Sequence, residues 1–568
     1  MIVRFATVRS AMFFGVFFLG CAGQAPVLRE TQPEASTDLS AAVPKVAVEN
    51  LRDRLGAFAH DSMEGREAGT MGNYKATEFI AQELARIGLQ PAGDNGTYFQ
   101  EIPLRVREPF STIEVDGATI PIGEDMVPLP PIQGLPLGAS GSLDGHDVIF
   151  GGVADSPTEI SAADGRGKVV FLIPPRGSTF TVPTSIVKFR NAAAIVLVYL
   201  DIAPAMLVDF LGEPTGMLDD GGPVGSGPPT MIVSDRVADM VFQEPLRESE
   251  PGVKGTPMTG EFGIRDVDVE APARNVIAVL PGSDPVLGRQ FVALGAHSDH
   301  VGLSNQAVDH DSLRAFLEIA RPMGADSPDL PNGPTPQQTE LITQRLAEIR
   351  SDNGAPRMDS IFNGADDDGS GSMGLLAIAE ALKGASERPR RSVIFVWHTA
   401  EEMGLFGSQH FTENPTVPRD AIVAQLNMDM IGRGATDDVA NLGGTEYLQL
   451  IGSRRLSTEL GDLVEQVNSE EGHGFVFDYT MDADGHEQNL YCRSDHYMYA
   501  RFNIPIVFLS TGSHRDYHQV TDEPQYIDFA KLARVSDFVK SLALRLANLD
   551  HAVYVDKPGP GPNAQCRQ

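Results

Sequence analysis

Five short segments in the second half of the chain carry histidine and carboxylate side chains together. They are GAHSDH (His297 and Asp299), NGADDDGSG (Asp366, Asp367 and Asp368), HTAEEMGLFGS (Glu401 and Glu402), NMDM (Asp429) and DYHQVTDEP (His518). Apolar runs typical of strands, such as FVALGAH and SVIFVWHTA, lead into these segments. Loops at the carboxyl ends of strands converge on one crevice in open α/β sheets. Imidazole and carboxylate ligands suit zinc, so the pattern predicts a metal site without thiolate ligands.

Each segment also has an ordinary structural interpretation. A single His or Asp at a strand end usually forms a turn or a surface hydrogen bond. A run of three aspartates is often a solvated loop, and a Glu-Glu pair near a helix start interacts favourably with the helix dipole. The recurrence of these residue types at successive strand ends favours a shared site over five independent loops.

The available side chains match the requirements of hydrolysis by two metal ions. Two divalent cations about 3.5–4 Å apart can polarise a carbonyl and activate one water molecule. Such a site needs one bridging carboxylate, a His and a carboxylate for each ion, and an unligated carboxylate for proton transfer. Glu401 and Glu402 are adjacent, so one can bind metal while the other acts as the base. Asp299 shares a strand face with His297, where it could accept a hydrogen bond from the imidazole.

The segments that must position these residues include a region of helical pattern and a region of β-like pattern. Residues 44–105 show helical periodicity, in VAVENLRDRLGAFAHD and NYKATEFIAQELARIGL. Residues 129–267 contain short β-like runs between Gly- and Pro-rich breaks, and their only histidine is His146. This pattern predicts a β-rich module inserted into a larger domain. A single continuous domain is the alternative.

The five segments resemble those of the co-catalytic di-zinc aminopeptidase family, which includes glutamate carboxypeptidases and related exopeptidases. The similarity extends to MEGREAGTMGNYKATEFIAQELARIGLQPAGDNGTYFQ near the start. It implies an α/β fold, a three-layer αβα sandwich around a mixed, mostly parallel sheet. That catalytic domain would comprise residues 44–128 and 268–552, and residues 129–267 would be an inserted protease-associated domain.

The resemblance also implies a ligand set for two Zn²⁺ ions per chain. One ion would be held by His297, Asp367 and Asp429, and the other by Asp367, Glu402 and His518. Asp367 would bridge because the family's bridging aspartate lies three residues before a Ser-Gly pair. Asp366 as the bridge is the alternative.

Further roles follow from the same resemblance. Glu401 would be the general base, and Tyr517 would stabilise the oxyanion, as a tyrosine does in some relatives. A purely structural Tyr517 is an equal alternative. The family also implies a cis peptide bond between Asp367 and Asp368.

Composition and charge restrict the classes of partner. The chain has 568 residues, 42% of them hydrophobic and 21% charged, which indicates a globular protein of more than one domain. Its formal net charge of −33 argues against nucleic acid or anionic membrane surfaces as partners. The family resemblance implies that peptides are the substrates.

The start of the chain resembles an export signal. Two arginines precede an apolar run over residues 11–19, which is too short to span a bilayer. The run ends in FLGC, similar to a bacterial lipoprotein cleavage box, so Cys21 would become the lipidated first residue and residues 22–43 a linker. We expect an exported protein on the periplasmic side, an outer-membrane lipoprotein whose only membrane contact is this anchor. Simple secretion with removal of Cys21 is the alternative.

Three other segments leave alternatives open. Cys492 and Cys566 could form a disulfide, but two free thiols are at least as consistent with the sequence. The Pro-rich insertion at about 301–362 could be a lid over the site or a surface decoration. Residues 553–568, with PGPGP, are expected to form a frayed tail.

The leading functional prediction is a zinc aminopeptidase that acts on peptides. A carboxypeptidase or dipeptidase is the main alternative, and it would need cations such as Arg493 or Arg515 to hold a terminal carboxylate. Glutaminyl cyclases share this fold but use a single zinc, which the complete two-metal ligand set argues against. An inactive peptide-binding protein would be expected to lack ligands or the base.

Overall fold

The computed structural model describes residues 43–132, 134–219, 225–434 and 444–568. The predicted export signal and nearly all of the predicted linker lie outside these residues. In the described residues, no helix is both long enough and apolar enough to cross a bilayer.

A large mixed sheet forms the centre of the catalytic region. In spatial order its strands are Gln90–Pro91, Arg274–Leu280, Ser392–His398, Phe291–His297, Ile422–Met428, Ile506–Ser510, Tyr447–Ile451 and Val476–Asp478, and Phe99–Glu101 also pairs with Arg274–Leu280. The four central strands, from Ser392–His398 to Ile506–Ser510, are parallel, and antiparallel neighbours flank them. All four carboxyl ends therefore lie at the same edge of the sheet.

Helices cover both faces of this sheet. One face packs against Val48–Phe58, Met71–Ile87, Gly369–Lys383, Thr458–Glu470 and Phe529–Asn548, and the other against Phe406–Glu413 and His496–Ala500. Successive strand residues alternate between the two cores: Val292 and Leu294 pack in the first, Ala293 in the second. Because both faces are covered, the strand Ser392–His398 is buried at every position. The predicted three-layer αβα sandwich is confirmed.

Residues 104–268 form smaller sheets. A six-stranded sheet has the order Lys254–Gly255, Val148–Val153, Val169–Ile173, Ala194–Val198, Thr230–Val233 and Met126–Leu129. A four-stranded sheet has the order Thr215–Leu218, Leu104–Ser111, Glu261–Asp268 and Ser140–Ser142, and a three-stranded sheet joins Met258–Thr259, Glu114–Val115 and Ala118–Thr119. Three helices accompany them, Ser185–Lys188, Ala205–Gly212 and Asp235–Phe242.

The strand pairing shows that the β-rich region starts earlier in the chain than predicted. Leu104–Ser111 and Met126–Leu129 precede residue 129, yet both pair with strands from within 129–267 or just beyond it. The β-rich region therefore begins near residue 104, not at 129. The sequence LRVREPFS alternates between apolar and charged residues only over its first four positions, because Glu108 and Pro109 then interrupt the pattern that identifies a strand. The division into separate domains stays a prediction.

The insertion at 301–362 has regular structure. Strands Leu303–Asp309 and Met358–Ile361 pair antiparallel and enclose helices His310–Ala320 and Pro336–Asn353. The second helix begins with the PQQTELITQRLAEIR segment, and a capping box of Thr335 and Gln338 lies at its start.

The C-terminal tail is held in place, so the prediction of a frayed end is wrong. Cys492 and Cys566 form a disulfide with their Cα atoms 5.8 Å apart. The backbone carbonyl of Gln568 accepts a hydrogen bond from Gly485, and its side chain accepts one from Tyr491. The tail has few apolar residues, so these local contacts left no periodic signal in the sequence.

We predict that Cys566→Ser lowers the free energy of unfolding by about 2–4 kcal/mol, because the disulfide closes a long loop in the unfolded chain. Urea denaturation measures the difference. As a control, a reductant should destabilise the wild-type protein and leave Cys566→Ser unchanged. A wild-type protein insensitive to the reductant would contradict the prediction.

Candidate active site

The predicted site residues follow the parallel strands of the large sheet. His297 ends the strand Phe291–His297, and Asp429 directly follows Ile422–Met428. Glu401 and Glu402 come three and four residues after the neighbouring strand Ser392–His398. Because these strands are adjacent and parallel, their following loops meet at one edge of the sheet.

One group of side chains surrounds His297. Its Nε2 lies 3.2 Å from Asp367 Oδ1, 3.6 Å from Asp429 Oδ1 and 4.0 Å from Glu401 Oε2. Ser494 donates a hydrogen bond of 2.8 Å to the other oxygen of Asp429 and thereby fixes that carboxylate. The group offers one imidazole and three carboxylates.

A second group surrounds His518. Its Nε2 lies 3.0 Å from both Asp367 Oδ2 and Glu402 Oε2. His300 Nδ1 lies 2.7 Å from the other oxygen of Glu402 and 3.7 Å from Asp367 Oδ2. No role was predicted for His300, although it lies in the same GAHSDH segment as His297. The two oxygens of Asp367 thus face the two groups.

The three consecutive aspartates point in different directions. Asp366 accepts a hydrogen bond from the backbone of Gly432 and faces His514. Asp368 caps the helix Gly369–Lys383 and accepts from the backbone of His297. Asp367 alone of the three faces both groups, and the bond between Asp367 and Asp368 is cis, as the family resemblance implied.

Asp299 supports the glutamate pair as well as His297. Its carboxylate accepts hydrogen bonds from the backbone nitrogens of Glu401 and Glu402, at 3.2 and 3.4 Å. The nearest acceptor to His297 Nδ1 is the backbone carbonyl of Asp299 at 3.2 Å, whereas its carboxylate lies at 3.8 Å. Burial raises the pKa of Asp299 to about 7. Asp299 therefore connects the first ligand segment to the loop that carries both glutamates.

The adjacent glutamates have opposite electrostatic environments. Burial raises the pKa of Glu401 well above its usual value, and the charges of Asp429 and Glu402 add to this effect. Burial and Asp367 also act to raise the pKa of Glu402, but contacts with His518 and His300 outweigh them and lower it to about 2. Two carboxyl groups whose pKa values are driven apart in this way are suited to different roles.

Tyr517 lines a cavity that is also lined by Asp367, Glu401, Glu402 and Asp429. Its hydroxyl accepts a hydrogen bond of 3.1 Å from Arg493, which also contacts Asp326 of the insertion. Burial raises the pKa of Tyr517 well above its usual value. Arg515 instead is buried and pairs with Glu318 on an insertion helix at 3.0 Å. Of the two arginines considered in the sequence, Arg493 lines the cavity.

A buried arginine that the sequence analysis missed joins several loops of the site. Arg66 is fully buried, and its guanidinium donates to the backbone carbonyls of Phe58, Ser298, Asn363 and Gly364. The carbonyls of Ser298, Asn363 and Gly364 flank the segments that carry His297 and Asp367. Arg66 lies in the MEGREAG stretch, where no feature of the sequence indicates its partners.

The donor set fits divalent metal ions. Two groups have ligand atoms within 4.8 Å of one another: one is His300, Asp367, Glu402 and His518, and the other is His297, Glu401 and Asp429. Imidazole nitrogen and carboxylate oxygen are the ligands expected for zinc. Buried carboxylates placed this close repel one another, and a cation would compensate their charge. The structure also places Asp299 and Tyr517 beside these groups, so it brings all eight predicted site residues together. Their individual roles stay predictions.

Comparison with known proteins gives partial matches. Residues 348–543 match the model of peptidase family M28. The chain is 31% identical over 173 residues to leupeptin-inactivating enzyme 1 of Streptomyces exfoliatus, covering 30% of this chain and 34% of that protein. It is 29% identical over 196 residues to a probable leucine aminopeptidase of Arthroderma benhamiae, covering 32% and 48%. The chain thus spans a third to a half of the length of these relatives.

Solved structures give a weak overall similarity. A zinc aminopeptidase from Bacillus subtilis superposes with a TM-score of 0.47 at 15% identity, over 91% of this chain and 100% of that one. The aminopeptidase from Aneurinibacillus sp. strain AM-1 gives a TM-score of 0.46 at 15% identity, over 92% and 98%.

The family match covers most of the candidate site. Asp367, Glu401, Glu402, Asp429 and His518 all fall within the matched residues, whereas His297 precedes them. The match of residues 348–543 to peptidase family M28 confirms the family predicted from the motifs.

Proposed function

We propose that the protein is a zinc-dependent exopeptidase with two metal ions, and that it acts as an aminopeptidase on peptides. The observation that carries this proposal is the position of Asp367, whose two carboxylate oxygens face two separate groups of His and carboxylate ligands. A side chain in that position suits a bridging ligand.

The ligand roles follow from the two groups. His297 and Asp429 would complete one zinc site with Asp367, and Glu402 and His518 the other. When bound, two zinc ions would polarise the substrate carbonyl and lower the pKa of a water molecule. His300 contacts Glu402 at 2.7 Å, so it would orient that ligand or add a further nitrogen to the second site.

Glu401 is the better candidate for the general base. It lies 4.0 Å from His297, whereas Glu402 lies within 3.0 Å of two imidazoles. Its raised pKa matches a group that takes a proton and then releases it to the leaving amine. Asp299 would hold Glu401 in place through its backbone nitrogen.

The pairing of the arginines near the site favours an amino terminus as the bound end of the substrate. The carboxypeptidase alternative needs a cation for a terminal carboxylate, yet Arg493 pairs with Asp326, and Arg515 pairs with Glu318. The relatives named leucine aminopeptidase support the same direction. An inactive peptide-binding role is disfavoured because every ligand position and the base are filled.

Export is part of the proposal. Disulfides persist in oxidising compartments, so the pairing of Cys492 with Cys566 supports a periplasmic location. The start of the chain would supply the signal, with a lipid anchor at Cys21. The β-rich region would be a protease-associated domain, and the insertion at 301–362 would shape access to the cavity.

We predict that Glu401→Gln keeps both metal ions but lowers kcat by about 10²–10⁴-fold, because a general base contributes on that order. The matched variant Glu402→Gln should instead lose zinc. Elemental analysis by mass spectrometry and kinetic assays decide between them. Loss of zinc in Glu401→Gln with retention in Glu402→Gln would mean that the two roles are exchanged.

Peptides with blocked ends test whether cleavage starts from the amino or the carboxyl terminus. A tripeptide with an N-terminal leucine should be hydrolysed with a free or an amidated carboxyl end, because the carboxylate is not required. N-acetylation should abolish hydrolysis, because it removes the charged amine. Mass spectrometry identifies the products, and the opposite pattern would establish a carboxypeptidase.

A further inference from the structure

Three side chains form a chain of contacts along the cavity wall. Arg493 Nη2 donates to the hydroxyl of Tyr517 and to Asp326 Oδ1, both at 3.1 Å. Arg493 Nη1 donates to Gln488 at 3.0 Å. Asp326, Arg493 and Tyr517 line the same cavity as the predicted metal ligands and base.

The contact with Arg493 determines what the hydroxyl of Tyr517 can do. A guanidinium has only donors, so the phenol oxygen must be the acceptor in this hydrogen bond. The single proton of the hydroxyl then remains available to another group. Within the described residues, no hydrogen bond donated by this hydroxyl is found, so the proton can be directed into the cavity.

The insertion determines where Arg493 lies. Asp326 ends the short turn Gly324–Asp326, and Ser513 donates a hydrogen bond of 2.5 Å to its second oxygen. The backbone nitrogen of Ala325 donates to the carbonyl of Tyr517 at 3.1 Å. A Cβ atom at position 324 would lie 2.5 Å from that carbonyl, so the close approach requires Gly324. The insertion thus contacts Tyr517 directly and also through Arg493.

Charge explains why Arg493 needs this partner. The cavity is lined by several carboxylates, which attract a guanidinium. Asp326 provides a carboxylate at the side of the cavity, and the ion pair holds the guanidinium beside the phenol oxygen. An uncharged residue at position 326 would remove the ion pair that holds Arg493 Nη2 beside the phenol oxygen.

We propose that Arg493 is a positioning residue, held by Asp326 of the insertion, which directs the hydroxyl proton of Tyr517 toward the oxyanion that forms on the substrate carbonyl. The inference rests on the proposed peptidase function and gives the 301–362 insertion a part in it. Arg493 itself would not touch the substrate.

A double-mutant cycle tests the proposal with the full-length protein and leucine p-nitroanilide, a substrate that has no carboxylate. Tyr517→Phe should lower kcat by about 10²-fold, the usual effect of losing one oxyanion donor. Arg493→Gln should lower kcat about tenfold with KM unchanged, and Arg493→Lys should restore part of the loss. The variant with both Tyr517→Phe and Arg493→Gln should be no slower than Tyr517→Phe alone, because Arg493 acts only through Tyr517.

The insertion is tested in the same assay. Asp326→Asn should lower kcat several-fold and have no further effect in the Tyr517→Phe background. Asp329→Asn, an exposed position three residues along the same segment, is the matched control and should match the wild-type protein. Zinc content and thermal unfolding, measured for every variant, separate these effects from loss of metal or of folding.

Several outcomes would overturn the proposal. Multiplicative losses in the double variant would show that Arg493 acts independently of Tyr517. A rise in KM confined to free-acid dipeptides would show that Arg493 binds the substrate carboxylate. Wild-type kcat in Arg493→Gln would also reject it. If the wild-type protein cleaves neither leucine p-nitroanilide nor any peptide, the proposed function fails instead, so the two failures are distinguishable.

Discussion

Compensation of buried negative charge is the constraint on which the architecture of this site depends. Asp366, Asp367 and Asp368 are all buried, and an unpaired buried carboxylate costs several kcal/mol. Both outer carboxylates accept hydrogen bonds from backbone N–H groups, and Asp366 also faces His514, which leaves the middle one facing His297 and His518. Asp522 in turn accepts from the backbone nitrogens of Asp366 and Asp367. Folding therefore selects which aspartate is presented to the cavity.

Arg66 also helps to compensate the buried negative charge of the aspartates. Its guanidinium is fully buried, and burial lowers its pKa to about 10 even though Asp367 and Asp522 act in the opposite direction. Its donors go to backbone carbonyls rather than to carboxylates, so it joins loops that are distant in sequence while its charge offsets the acidic cluster. A shorter neutral residue there would remove these hydrogen bonds and a positive charge that acts on Asp367 and Asp522.

The sequence predicted the site better than its surroundings. Residues at the ends of parallel strands must lie near one another, so the convergence of His297, Glu401 and Asp429 followed from strand patterns alone. Contacts between distant loops carry no such periodic signal: His300 meets Glu402, 102 positions away, and Arg66 meets Gly364, 298 positions away. The boundary at residue 129 and the frayed tail were wrong for the same reason, because pairing of irregular segments depends on tertiary contacts.

The disulfide has a consequence for the order of events during biosynthesis. Cys492 precedes Arg493, which lines the cavity, and its partner lies 74 residues later. A ribosome that has just added Cys492 must add 74 more residues to reach Cys566, before the disulfide can form. The disulfide therefore links two segments only after every predicted metal ligand, from His297 to His518, has been synthesised, in a compartment that supplies an oxidant.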